Sequence, residues 1–332
     1  VAQHRALGRA ICGIVEPDLA QYRHLGDAVT KTDNLIYRAD LAAGERDGAF
    51  GGAPDDRWAF TSRSTALNYG SAAGLAAASR ALRGYRDALA DECLAAAVRV
   101  WDEEHGREPA VFEHGNTTGG PLDEEELRCG VELLLATGEP RYAARVEALW
   151  PTIERAFGEL GAAAARALPL LSRTFAGRLE ARTRAYAEEL RRAAGENPFG
   201  VPITTAGWAG NSAVVRQGLT CYALHRAFPA LIDPEHVYRP LGYLLGCHPA
   251  SDISFVSGVG ARSAEVAYGN NRADFSFIAG GVVPGVLILK PDFPEHKEDW
   301  PFFWGQNEYV VDLAAAYLVL VNAADELLGR EA

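Results

Sequence analysis

No methionine occurs among the 332 residues of this chain, which begins on Val1. An intact mass of 35.6 kDa checks that absence, because any methionine would raise the measured value by a whole residue. No apolar run is long enough to span a membrane, and the first residues lack the basic segment and apolar stretch of a secretory leader. The acidic residues outnumber the basic ones, 44 to 32, for a formal charge of −12. That balance argues against a nucleic-acid surface, which needs clustered Lys and Arg. The arginines are instead interleaved with Glu and Ala, as in Arg178 to Arg184 and Glu188 to Arg192, a pattern of solvated helix faces.

Five cysteines, Cys12, Cys93, Cys129, Cys221 and Cys247, stand far apart, and an odd number cannot pair completely. They read as buried thiols. The eight histidines form no HExxH or His-x-His pattern, which argues against a catalytic zinc. Gly280-Gly281 lacks the strand-to-helix setting of a phosphate loop, and no GxSxG elbow is present. No organic cofactor is expected, and no recognisable motif supports a structural calcium.

What the chain does have is helix. Ala- and Leu-rich amphipathic segments are predicted at 3–25, 27–43, 63–82, 86–105, 123–137, 140–167, 170–194, 211–228, 234–246 and 308–329. Ser62 or Ser64 precedes one periodic run, Asp123 to Glu126 supply acidic first-turn charge to another, and Pro234 suits a first turn. Asn211 or Ser212 is expected to cap the helix that follows Trp208. With hydrophobic residues at 48%, the chain can bury a large core, and no Gly/Pro/Ser-rich linker divides it, so a single domain over 1–332 is expected. Helix after helix on short links, with one long irregular excursion before the last, predicts an all-α fold, an α/α barrel of antiparallel hairpins.

The excursion runs from Ser251 to Trp304, with short β-like runs at Ile253 to Ser257 and Val286 to Leu289. So long a stretch without helix is more often functional than idle. Ser254 to Arg262, then Asn270, Asn271 and Arg272, combine glycines that allow close backbone approach with side chains that hydrogen-bond hydroxyl groups. Trp208 offers a ring platform or fills core. Asp55-Asp56 either shares a proton or a cation, or is simply solvated.

The most informative stretch is Asp299-Trp300-Pro-Phe302-Phe303-Trp304-Gly-Gln-Asn307-Glu308-Tyr309, two carboxylates around an aromatic cluster. Trp300, Trp304 and Tyr309 give flat apolar faces of the kind that stack on pyranose rings, and Glu308 gives a proton for a glycosidic oxygen. Asn307 or Glu308 is expected to open the last helix. A helix N-terminus favours the carboxylate anion, whereas an acid catalyst needs its pKa raised by apolar neighbours. Read on spacing alone, Glu308 serves equally as a first-turn charge and the rings as a core plug.

These residues resemble glycoside hydrolase family 9, whose founding members are cellulases. Tyr243-Leu-Leu-Gly246-Cys-His-Pro249 is similar to that family's helix-ending Tyr-Leu-Leu-Gly-x-Asn-Pro. Ser254 to Arg262 resembles the first half of its histidine signature, and Asp299-x4-Trp304-x3-Glu308 the core of its second. Ser62 to Ala78 resembles its Ser-Thr-x-Ala-Thr helix more weakly. The resemblance implies an (α/α)6 barrel and hydrolysis of β-glycosidic bonds of an oligosaccharide or polysaccharide with inversion. Glu308 is then the general acid, Asp299 a supporting carboxylate and Trp304 a ring beside the cleavage point, with Arg272 keeping a sugar contact; Trp208, Asn270, Asn271, Trp300 and Tyr309 are the further candidate sugar-binding residues on their own chemistry. A secreted or periplasmic location is implied, with neither nucleic acid nor membrane as partner.

The departures are specific. Asn270-Asn271-Arg272 stands for the family's His-x-Arg, displaced by two positions, and Val310 and Ala314 replace a small residue and an asparagine after the acid. The family's Asp-Ala-Gly-Asp motif, which carries its general base, is absent; Gly26-Asp27-Ala28 matches only superficially. An upstream segment carrying the base is therefore expected. A saccharide-binding pseudoenzyme is the alternative, and another α/α-barrel chemistry, epimerisation or elimination, is disfavoured by the lack of a His pair.

Overall fold

The computed structural model describes residues 1–15, 33, 35–55, 58–113, 118–202, 210–247, 252–264, 277–285 and 309–331. The chain divides into two compact units, Val1–Thr152 and Ile153–Ala332.

The first unit opens with α1 (Ala2–Leu7), which stops at Gly8, a left-handed residue (φ 71°) whose N–H returns to the His4 carbonyl. The predicted helix 3–25 therefore ends early. Beyond it β1 (Gly13–Val15) pairs antiparallel with β5 (Trp58–Phe60). The predicted helix 27–43 is also overturned in its described part: β2 (Ile36–Tyr37), β3 (Arg46–Asp47) and β4 (Phe50–Gly51) form a small sheet in the order β2-β4-β3. Asp33 Oδ1 accepts the Leu35 N–H at 2.8 Å, and Glu45 Oε2 accepts that of Ala42 at 2.9 Å. Such side chains offer the backbone an alternative to helix, and strand pairing does the rest.

From Thr65 onward the periodicity is realised. Helix α2 (Thr65–Leu82) is capped by Ser64, whose Oγ accepts the Leu67 N–H at 3.3 Å and donates to the Thr118 carbonyl at 2.7 Å. It packs against α3 (Asp87–His105) and α4 (Leu122–Thr137). Fully buried Ala72, Ala76, Ala90 and Ala97 lie on α2 and α3, and α4 contributes Leu127, Val131 and Leu133. Short buried side chains let helix axes approach closely.

The predicted helix 140–167 is three helices: α5 (Pro140–Ala148), α6 (Trp150–Arg155) and α7 (Phe157–Ala167). Pro151 lacks the N–H needed to continue the ladder from α5. In the second unit a 3₁₀ turn (Leu168–Leu170) leads to α8 (Arg173–Ala194), capped by Ser172, and then come α9 (Gly210–Ala227) and α10 (Glu235–Leu244). Helix α9 packs against α7, α10 and the last helix, α11 (Val311–Glu331). Phe157, Leu160, Leu224, Leu244 and Leu320 are buried there. Four of the five thiols are buried, and Cys247, just past α10, is exposed. None of the described helices is long and apolar enough to cross a membrane.

Helix α11 opens at Val311 rather than at Asn307 or Glu308. Its first backbone bond runs from the Ala314 N–H to the Val310 carbonyl, and Tyr309 lies outside it.

Candidate active site

The irregular excursion is tied down by buried backbone. After α10, β6 (Ile253–Ser254) pairs parallel with β7 (Arg262–Ser263). The Phe255 N–H donates to the Leu244 carbonyl at 2.8 Å, which anchors the strand to the end of α10. The Val283 N–H donates to the Phe255 carbonyl at 3.0 Å and the Ser257 N–H to the Gly281 carbonyl at 2.9 Å, with Val256 bridging Val282. The expected β-like run at 253–257 is thus present, shortened and joined to a second segment; that at 286–289 lies outside the described residues. Ile253, Phe255, Val256, Val282 and Val283 are buried around this seam, and Ser254 and Ser257 are fully so.

Two side chains fasten the seam to helices. Asn211, in the first turn of α9, donates from Nδ2 to the Val283 carbonyl at 2.9 Å, while its own N–H donates to the Pro284 carbonyl at 2.9 Å. It is buried and does not cap its helix, contrary to expectation: the carbonyls it meets belong to a segment some seventy positions later, a contact no local rule shows. Tyr309, just before α11, has its hydroxyl 2.8 Å from Ser257 Oγ and 3.4 Å from the Ile278 nitrogen. Its ring rests on Gly281, where a Cβ would come within 2.5 Å of it. The residue read from the sequence as a sugar platform therefore has its polar atom engaged inside the protein.

The other predicted site residues, Glu308, Asp299, Trp304, Trp300, Arg272, Asn270, Asn271 and Trp208, lie outside the described residues. So does Asp56. Asp55 Oδ2 accepts the Asp33 N–H at 2.6 Å and its Oδ1 is buried without a partner. Among the described residues no group of three His, Cys, Asp or Glu side chains is placed to hold a metal ion.

Sequence reasoning missed two buried carboxylates in the first unit. Glu104 Oε1 accepts from Arg63 at 2.5 Å and Asn68 at 2.6 Å, and Oε2 from the Thr65 hydroxyl at 2.8 Å. Glu126 accepts from His105 Nε2 at 2.8 Å and from Arg145 at 2.6 and 2.7 Å. Burial beside Glu126 pushes the Tyr69 hydroxyl well above its ordinary value, and the Glu126 hydrogen bond raises Arg145. With their lone pairs taken by fixed donors, both carboxylates are built to hold helices together rather than to exchange protons with a ligand.

A model of glycosyl hydrolase family 9 matches residues 25–321, and the chain belongs to that family. No curated protein matches it. Among solved structures it is similar to a metagenome-derived family 9 endoglucanase, at 22% identity and a TM-score of 0.65 over 82% of this chain and 54% of that one. It is similar to AaCel9A in complex with cellobiose-like isofagomine, at 20% identity and a TM-score of 0.64 over 78% and 55%. A third is the endoglucanase of the termite Nasutitermes takasagoensis, at 18% identity and a TM-score of 0.63 over 84% and 70%. The chain spans about half the length of the first two. At these identities the likeness shows the fold, the all-α (α/α)6 class that the family resemblance implied.

Proposed function

We propose that this chain carries the acid half of a glycosidase that cleaves β-glycosidic bonds of a glucan or related saccharide with inversion. The observation that carries the reading is the motif Asp299-x4-Trp304-x3-Glu308 inside a chain of family 9. Glu308 protonates the leaving oxygen, Asp299 supports it, and Trp304 packs on the sugar beside the scissile bond. Trp208, Asn270, Asn271, Arg272 and Trp300 line the saccharide path. Inversion requires a second carboxylate about 6.5–9.5 Å from the acid, so that water fits between base and sugar. No organic cofactor enters this chemistry.

Family membership and endoglucanase neighbours support the substrate class. The alternative reading is a saccharide-binding protein of the same fold without turnover. Glu308→Gln in the complete encoded protein separates them. On the first reading wild type releases reducing sugar from cello-oligosaccharides, and the variant loses at least about a hundredfold in rate while calorimetric binding persists. Unchanged turnover in the variant removes Glu308 from the mechanism. Binding by wild type with no product at any pH favours the second reading.

A further inference from the structure

We propose that the cavity between α7, α8 and α9 is a binding site for a small neutral polyol, the size of a single hexose. The site is built within the second unit alone and owes nothing to the role of Glu308.

The cavity holds about 240 Å³ between Gly158 of α7, Tyr186, Leu190 and Ala193 of α8, Gln217 of α9, and Pro202. That is the space of about eight waters. It falls below the roughly 300–1,000 Å³ of pockets that take drug-sized ligands, which suits one ring and not an oligosaccharide.

Two polar groups of the wall are unmatched. Gln217 is 8% exposed, and its Oε1 is buried without a hydrogen-bond partner. A buried carbonyl in that state is destabilising, and folded proteins keep few of them unless a ligand or water serves them. Tyr186 is as deeply enclosed, and its hydroxyl makes no hydrogen bond among the described residues. Burial raises that hydroxyl above its ordinary value, so it stays protonated and can donate as well as accept. The Gln217 amide offers an acceptor or, turned over, a donor, and a ligand hydroxyl serves either one.

The charges around the cavity are already matched. Glu159 pairs with Arg216, and Glu189 with Arg182 at 3.0 Å. An entering ion would have to break one of these pairs to find a partner, whereas a hydroxyl can use the lone pairs they leave over. A neutral ligand is therefore favoured. Leu190, Ala193 and Pro202 supply the apolar wall that the C–H edges of a ring can meet.

The walls are fixed in advance. Thr220 Oγ1 donates to the Gly158 carbonyl at 3.0 Å, which ties α9 to α7. The Tyr186 ring stands edge-on to Phe157 at 5.4 Å, and the Arg182 guanidinium lies 4.5 Å over that phenylalanine. Gly158 leaves the space in front of the tyrosine clear, for a Cβ there would sit 3.7 Å from the hydroxyl. A longer side chain at 158 would occupy the cavity.

Calorimetry on the complete encoded protein, with D-glucose as the probe, tests the site. Wild type is expected to bind, Gln217→Leu and Tyr186→Phe each to weaken binding by about tenfold, and Gly158→Leu, which keeps both polar groups and fills the space, to abolish it. Urea midpoints without glucose separate a binding defect from a folding defect. Gln217→Leu removes the unmatched carbonyl and should unfold at no lower urea than wild type. No binding by wild type, binding that survives all three changes, or a preference for inorganic phosphate or methylammonium over glucose overturns the proposal. So does a crystal soaked in glucose whose cavity holds only water. Glu308→Gln tests the glycosidase reading separately and should leave glucose binding at wild-type strength. If binding falls with that change and not with the cavity changes, the sugar sits elsewhere and the cavity is not its site.

Discussion

Asn211 and Val283 are joined by a buried hydrogen bond of 2.9 Å that fastens the irregular segment to the first turn of α9. The neighbouring Gly285 (φ 66°) sits against the same amide, with space for a Cβ only 2.4 Å from Asn211 Nδ2. Asn211→Ala strands a buried carbonyl and is expected to cost about 1–3 kcal/mol. Gly285→Ala forces a left-handed alanine and a clash, a further loss of roughly 1–2 kcal/mol from the backbone alone. Because the clash is with the asparagine, the double variant should lose less than the sum of the two. Urea unfolding of all four proteins measures the coupling.

The Glu104 cluster yields a second expectation. Glu104→Ala leaves Arg63 without its ion partner, and Thr65 and Asn68 with unmatched donors, at a cost of about 3–5 kcal/mol. Glu104→Gln retains one acceptor and should fall between alanine and wild type. Since Arg63, Thr65, Asn68 and Glu104 belong to α2, α3 and the cap region, loss of helical signal at lower urea is the readout. An unchanged midpoint in Glu104→Ala would mean the cluster contributes nothing to stability.

Two histidines set a pH trend. Burial, with help from nearby positive charge, lowers His4 below its ordinary value of 6.5, and burial with Arg239 nearby does the same to His236. A lowered value in the folded state means the unfolded chain binds more protons as the solution acidifies. Stability from these two groups is therefore complete above pH 6.5 and is lost as pH falls from there through the folded values. Thermal melts stepped from pH 7.5 downward should show Tm falling, and His4→Asn/His236→Asn should flatten the slope. A variant whose slope matches wild type would assign the trend to other groups.

Much of the helical framework is legible in the sequence, and the reasons are local. Ser64 and Ser172 accept the N–H groups of Leu67 and Phe175 as capping rules require, and the buried positions of α2, α3, α4, α8 and α9 recur at helical spacing. The described residues before Thr65 mislead because their alanines and leucines suit a helix, while Gly8, the pairing of β1 with β5 and the small sheet β2-β4-β3 decide otherwise. Tertiary contacts override propensity there.

The site is legible to a different degree. Its motif can be read as a string, but the partner of each residue cannot. Asn211 has the composition of a helix cap and serves as a cross-link. Tyr309 has the composition of a sugar platform and serves as an anchor, two residues ahead of the helix that opens at Val311. In both cases the deciding atom belongs to a backbone or hydroxyl group tens of positions away, and hydropathy carries no record of it.

The unequal burial of the five sulfurs has a practical corollary. Burial pushes the thiols of Cys129 and Cys221 far above their ordinary range, and Cys12 and Cys93 are likewise enclosed. Only thiolate reacts readily with a maleimide. A dye offered to the native protein should therefore attach at Cys247, a natural reporter on the approach to the loop that Asn211 and Tyr309 hold.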